Sequence, residues 1–367
     1  MSRWLKLAVS LGITAVSLWW TFRGTRWDEM WTSLRSANWL MLVPYLLLLT
    51  AIHLARTMRW GNLMSPLERV PFKKLNEASA IGFMMLIILP FRLGEFARPF
   101  LIAQRSSIRR SSAMTSVVFE RIFDGVLVAS LLRVLLFFVP DEGEGIARIT
   151  IGANAMFAVF FSGFLFLLLA RWKHDLVIGL LRKTGGRIAP RTTERVVHMV
   201  DGFVGALKML PDWRNAIAFF GLTLVYWLLN GWGMSLFANA FDCSGGAAVN
   251  CQPLHITLFQ GFVVLGAIVV GMMIPAAPGS AGTFQLSILI ALSVFVPQAV
   301  ANSSGVAYAN VVWAVQMLQQ ILFGVVFMIT SQSSFSEIAG KLSEEQQGSA
   351  RGSGEDFGSS VRGETPP

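Results

Sequence analysis

Residues 78–100, ASAIGFMMLIILPFRLGEFARPF, decide the reading of this chain. The apolar part, 78–90, is too short to cross a bilayer, whose hydrocarbon layer of about 30 Å needs about 20 apolar residues of helix. It then runs directly into charged residues. A counterpart, LGAIVVGMMIPAAPGSAGTFQLSIL, occupies 265–289. In each copy a glycine follows a proline by four residues, Pro90 with Gly94 and Pro275 with Gly279, and the two prolines stand 185 positions apart. Proline and glycine interrupt helices. Paired, broken apolar segments in two halves of one chain point to a transporter with its site near the bilayer midplane.

The rest of the chain agrees with a membrane setting. Hydrophobic residues make up 54% of the 367 and charged residues only 14%, against about 25% charged in a soluble domain. Full-length apolar runs at 5–22, 39–55, 115–139, 149–170, 215–241 and 306–330 predict six spans. The regions 78–103 and 254–297 are apolar but broken. No small-residue cleavage site follows the first run, so it reads as a retained helix and not a signal peptide.

The net charge of +9 is distributed in a way that argues against nucleic acid as a partner. Positive residues gather in 56–77, 92–110 and 171–214, whereas PDEGEGIAR and the loop after Phe241 are acidic or nearly uncharged. Alternation of this kind follows the positive-inside rule, and it places both termini in the cytoplasm of a multi-pass inner-membrane protein. The first broken region then enters and leaves from the cytoplasm and the second from outside. Each is a re-entrant hairpin. An offset of 185 also superposes 39–55 on the 215–241 span and 115–139 on the last span, so the expected fold is all-α, with inverted halves at about 39–139 and 215–330. Between them, 174–212 reads as an amphipathic cytoplasmic segment. Residues 331–367 are Gly/Ser-rich and read as a disordered tail.

The outer loop holds the two cysteines, Cys243 and Cys251. A disulfide and two unpaired thiols are both open readings there.

Chemistry concentrates in TSVVFERIFDGVLVASLL, where Glu120, Arg121 and Asp124 lie inside an apolar span. Each such charge costs about 2.5–3.5 kcal/mol on insertion scales, so each needs a partner. Glu120 and Asp124 share a helix face, and Arg121 is three residues from Asp124. The first hairpin offers Arg92, Glu95 and Arg98, again spaced by three. Together these are three arginines and three acids. They form either a neutral staple for the hairpin or a staple that also frees a guanidinium for a lipid phosphate, a group that arginine's planar fork suits. Arg92 and Arg98 are the candidates for that contact. In the second hairpin Pro275, Pro278, Gly279 and Gly282 exclude regular helix. A helix starting near Gly282 would offer its N-terminal amides to an anion; tight packing is the other reading. No metal-ligand spacing and no phosphate-cradling glycine loop followed by lysine occurs, so neither metal nor other cofactor is expected.

RLGEFAR, FERIFD and PAAPGSAG, in that order, resemble the lysylphosphatidylglycerol synthase transmembrane-region family of flippase-like integral membrane proteins, over about residues 1–330. The resemblance implies lipid translocation. In the bifunctional members this membrane part moves an aminoacylated phospholipid to the outer leaflet, and other members are linked to glycolipid or polyprenyl-linked pathways. The soluble aminoacyl-transferring domain of the bifunctional members is absent from this sequence. One departure stands out: an acidic residue usually follows the family's glycine-rich motif, where this chain has Gln285.

The expected function is therefore translocation of the head group of an anionic, aminoacylated or glycosylated membrane lipid, with no catalytic residues. Two rival readings are a transferase acting on a polyprenyl-phosphate lipid, with Glu95 or Asp124 as general base, and a scaffold that recruits a lipid-modifying enzyme through 171–214. Arginines that match the carboxylates in number would depress their pKa and weaken them as bases.

Overall fold

The computed structural model describes residues 3–89, 94–139, 144–173, 212–243, 251–274 and 278–331, with isolated positions at 178, 179, 182, 183 and 197. Arg92, Pro90 and Pro275 fall outside the described residues, as do nearly all of the amphipathic segment 174–212 and the tail beyond Ser331. Among the described residues every regular element is helical. The longer helices, in chain order, are α1 (Arg3–Phe22), α2 (Trp27–Ser36), α3 (Leu42–Met64), α4 (Phe72–Ile88), α5 (Ala97–Arg105), α6 (Arg110–Phe137), α7 (Glu144–Trp172), α8 (Trp213–Ala238), α9 (Leu258–Met272), α10 (Thr283–Phe295) and α11 (Val306–Thr330).

Five described stretches are long and apolar enough to cross a membrane: Trp39–Met64, Ile149–Phe166, Trp213–Phe241, Pro278–Phe295 and Gln298–Thr330. Four of them fall on expected spans. The fifth, Pro278–Phe295, lies in the second broken region and reaches 18 residues only by including the turn before α10. Two expected spans are not among these five: α6 is 28 residues long but carries Glu120, Arg121, Asp124 and Arg133, and α1 is a 20-residue helix of which Leu11–Phe22 forms a shorter apolar stretch. Side chains such as Leu40, Leu47, Phe137, Ile151, Ile217 and Ile329 are exposed. So much apolar surface needs an apolar surrounding.

Both broken regions are helix–turn–helix pairs, α4 with α5 and α9 with α10, each packed on its own partner. Across the chain α3 lies along α8, α4 along α11, and α9 against α6. Tyr45 stacks on Phe237 between α3 and α8 with ring centroids 4.5 Å apart, and Tyr308 of α11 donates its hydroxyl to the carbonyl of Met234 at 2.7 Å.

Two features differ from the expectations, and the cysteine reading left open is resolved. The helix expected to end at Ala55 continues to Met64, so Arg56 and Arg59 belong to a helix and not to a cytoplasmic loop; the loop before α4 is only 65–71. A further helix, α2, precedes α3 and packs on the π-helical segment Ala301–Gly305, where the amide of Arg26 donates to the Asn302 carbonyl at 3.0 Å and the Ser33 and Ser304 hydroxyls meet at 2.6 Å. Beside it Cys243 and Cys251 are joined by a disulfide, with their Cα atoms 5.9 Å apart.

Candidate functional site

Glu120 and Asp124 are one turn apart on α6 and nearly closed off, at 1% and 7% exposure. Their main partner is Arg59 of α3, which is fully buried. Its Nη1 donates to Asp124 Oδ1 at 2.6 Å and its Nη2 to Asp124 Oδ2 at 2.9 Å, and Nη2 also donates to Glu120 Oε1. The indole N–H of Trp227, from α8, donates to Asp124 Oδ1 at 3.1 Å. Fork-to-carboxylate geometry of this kind compensates two buried charges that neither helix could tolerate alone.

Arg98 joins the cluster from the first helix pair. Its Nη1 donates to Glu120 Oε2 at 3.1 Å, and its guanidinium sits 4.3 Å from the Trp60 ring and 4.7 Å from the Phe83 ring. Gly82 makes room for it, since a Cβ there would stand 2.3 Å from Arg98 Cγ. Gly94 serves the turn of the same pair, where a Cβ would meet the backbone of Leu86 at 2.0 Å. Arg98, expected as a phosphate contact, is 2% exposed, ion-paired to Glu120 and held between two rings, and so joins α5 to α6. The expected Arg121–Asp124 contact does not form. Asp124 is occupied by Arg59 and Trp227, and among the described residues Arg121 forms no salt bridge or hydrogen bond.

In the second pair the turn is built on positive backbone angles at Gly279 (φ 68°) and Gly282 (φ 84°), a region that glycine enters without steric cost. The carbonyl of Gly279 accepts from the Trp313 indole at 2.9 Å. The amide of Gly282, expected to be available to an anion, donates instead to Gln285 Oε1 at 2.8 Å. Gln285 is 2% exposed and thus acts as the cap of α10.

Between the two helix pairs lies a cavity of about 620 Å³. The first pair contributes Phe83, Leu86, Ile87 and Glu95; the second contributes Ile268, Met272, Pro278, Gly279, Ser280 and Phe284. Its polar wall comes from His53 and Arg56 of α3, Arg121 and Asp124 of α6, Asn230 of α8, and Gln316, Gln319 and Gln320 of α11. Arg56 is packed 3.6 Å over the Phe83 ring and, among the described residues, has no carboxylate partner. Glu95 is engaged in an interaction and is not a free carboxylate. Four guanidiniums, those of Arg56, Arg59, Arg98 and Arg121, act on Glu120. Two of them are tied by salt bridges, and Arg56 and Arg121 are left facing the cavity.

Sequence reasoning thus found the carboxylates and Arg98, and it missed Arg56, Arg59 and the glutamines. His53, Arg56 and Arg59 recur every three residues along α3, a spacing that would have placed them on one helix face.

The chain matches the family described as Lysylphosphatidylglycerol synthase TM region over residues 3–319. No curated protein and no solved structure matches it.

Proposed function

Because the chain belongs to the lysylphosphatidylglycerol synthase transmembrane-region family, we propose that it is a lipid translocase that passes the head group of an anionic lipid through the cavity while the acyl chains stay in the bilayer. One observation carries the reading. Two guanidiniums without carboxylate partners among the described residues, Arg56 and Arg121, face a cavity walled by both helix–turn–helix pairs. A head-group charge exposed to hydrocarbon costs several kcal/mol, and a half-buried positive wall offsets that cost.

The re-entrant geometry is part of this proposal. Helices α4, α5, α9 and α10, of 17, 9, 15 and 13 residues, rise about 25, 14, 22 and 20 Å, all short of the about 30 Å of hydrocarbon. An inverted repeat is supported by the packing pattern: exchanging the halves turns the α4 with α11 contact into the α9 with α6 contact and leaves α3 with α8 unchanged. Both termini then lie in the cytoplasm and the disulfide loop outside, in the plasma membrane.

The test is reconstitution of the full chain into vesicles containing a fluorescent phosphatidylglycerol, followed by bleaching with an impermeant reductant. Bleaching that proceeds past the outer-leaflet fraction in protein vesicles alone is the expected result. Identical traces from protein-free vesicles would overturn the proposal.

A further inference from the structure

The cavity wall discriminates between classes of head group. Its carboxylates are spent: Asp124 accepts two bonds from Arg59 and one from Trp227, and Glu95 is engaged. A cationic ammonium entering the cavity would therefore meet Arg56 and Arg121 with no free carboxylate among the described residues to receive it, and like charges repel strongly where solvent is excluded. An anion meets the reverse situation, since the Nε of Arg56 is buried without a partner.

The same cavity is lined by a row of amides on α11. Gln316, Gln319 and Gln320 share one helix face and line the cavity. Gln319 is 7% exposed, and its side-chain nitrogen is buried with no hydrogen-bond partner. A buried donor left unmade costs free energy, and a hydroxyl oxygen entering the cavity would satisfy it. Gln316 donates to the Tyr45 hydroxyl at 2.9 Å, which leaves its own carbonyl oxygen as an acceptor. The lining also includes Leu86, Ile87 and Ile268, apolar side chains that suit acyl chains.

Building on the translocation reading, we infer that the cavity takes a phosphate-bearing lipid whose head group ends in hydroxyl groups, with Arg56 and Arg121 on the phosphate and the α11 amides on the hydroxyls, and that it rejects aminoacylated, cationic head groups. Of the described arginines, Arg56 and Arg121 are the ones that line the cavity and so serve as the phosphate ligands in this reading; Arg92 lies outside the described residues. The amide row sets the specificity for the distal end of the head group.

The test is ligand-dependent thermal unfolding of the purified full chain in an uncharged detergent, with short-chain phosphatidylglycerol, short-chain lysyl-phosphatidylglycerol and soluble glycerol phosphate as probes. Phosphatidylglycerol is expected to shift the midpoint saturably, and the lysyl lipid to bind about tenfold more weakly or worse. Arg56→Gln and Arg121→Gln are each expected to weaken phosphatidylglycerol binding about tenfold, Arg121→Lys to retain most of it, and Gln320→Glu to narrow the gap between the two lipids. Equal or tighter binding of the lysyl lipid by the wild-type protein overturns the inference and requires no variant to fold. Glycerol phosphate binding as tightly as the lipid overturns the lipid assignment. Vesicle translocation is scored separately, so lipid selectivity without movement counts against the transport reading alone, and movement without selectivity counts against this inference alone.

Discussion

Arg59 and Asp124, 65 residues apart in sequence, meet through two nearly parallel hydrogen bonds of 2.6 and 2.9 Å inside the helix bundle. The pair joins α3 to α6, and its geometry leaves Arg121, one turn away from Asp124, to face the cavity. The cavity's charge therefore depends on a contact that does not itself need to touch substrate.

Removing one partner of this pair strands the other in a dry interior. Arg59→Ala is expected to lower stability by about 3–5 kcal/mol, and Arg59→Lys to recover only part of that because an ammonium cannot fork to both carboxylate oxygens. Unfolding of the purified variants in mixed detergent checks this. Near-wild-type stability of Arg59→Ala would show that the cluster does not hold the helices together.

Gln285 follows the glycine-rich turn, and its oxygen caps the Gly282 amide. Gln285→Glu preserves the acceptor and is expected to keep fold and translocation. Gln285→Leu orphans a buried amide and is expected to cost about 1–2 kcal/mol. Loss of translocation in Gln285→Glu, with stability unchanged, would contradict the capping role.

Glu68, in the loop before α4, accepts hydrogen bonds from the Ser107 hydroxyl at 2.6 Å and from the Ser107 amide at 2.7 Å. These bonds hold its carboxyl below the ordinary value of 4.5. A depressed folded-state pKa means that the clasp's stabilisation is present above the ordinary value and is lost as pH falls through the folded one. Protection of the Ser107 amide from hydrogen exchange, corrected for the intrinsic rate, is expected to drop on acidification below about pH 4.5. Glu68→Gln should remove that dependence; an unchanged acid profile in this variant would place the titration elsewhere.

The disulfide between Cys243 and Cys251 also reports topology. In intact cells, an impermeant maleimide is expected to label these cysteines only after treatment with an impermeant reductant. Labelling that requires permeabilisation would invert the proposed orientation.

Much of the fold could be read from composition and pattern. Apolar runs alone locate four of the crossing helices, because burying a backbone in hydrocarbon leaves few options besides helix. The Pro and Gly clusters locate both helix–turn–helix pairs, since proline at 278 and positive φ at Gly279 and Gly282 cannot continue a helix. Glu120 and Asp124 declare themselves as functional or structural by sitting in an apolar span. The α3 boundary was misread for the same reason in reverse: Arg56 and Arg59 looked like the start of a basic loop, because a sequence shows the cost of a buried charge and not the distant group that offsets it.

Local physics along the chain, hydrophobic length and helix-breaking residues, determined by itself that this is a helical membrane protein with two interrupted segments and a charged helix that must find partners. Only the tertiary structure decided which arginines those partners are and which are left over. Arg59 and Arg98 are closed in by carboxylates and rings, while Arg56 and Arg121 open on the cavity. That division depends on how α3, α5 and α6 pack, and side chains alike in sequence become staple or ligand only through what surrounds them.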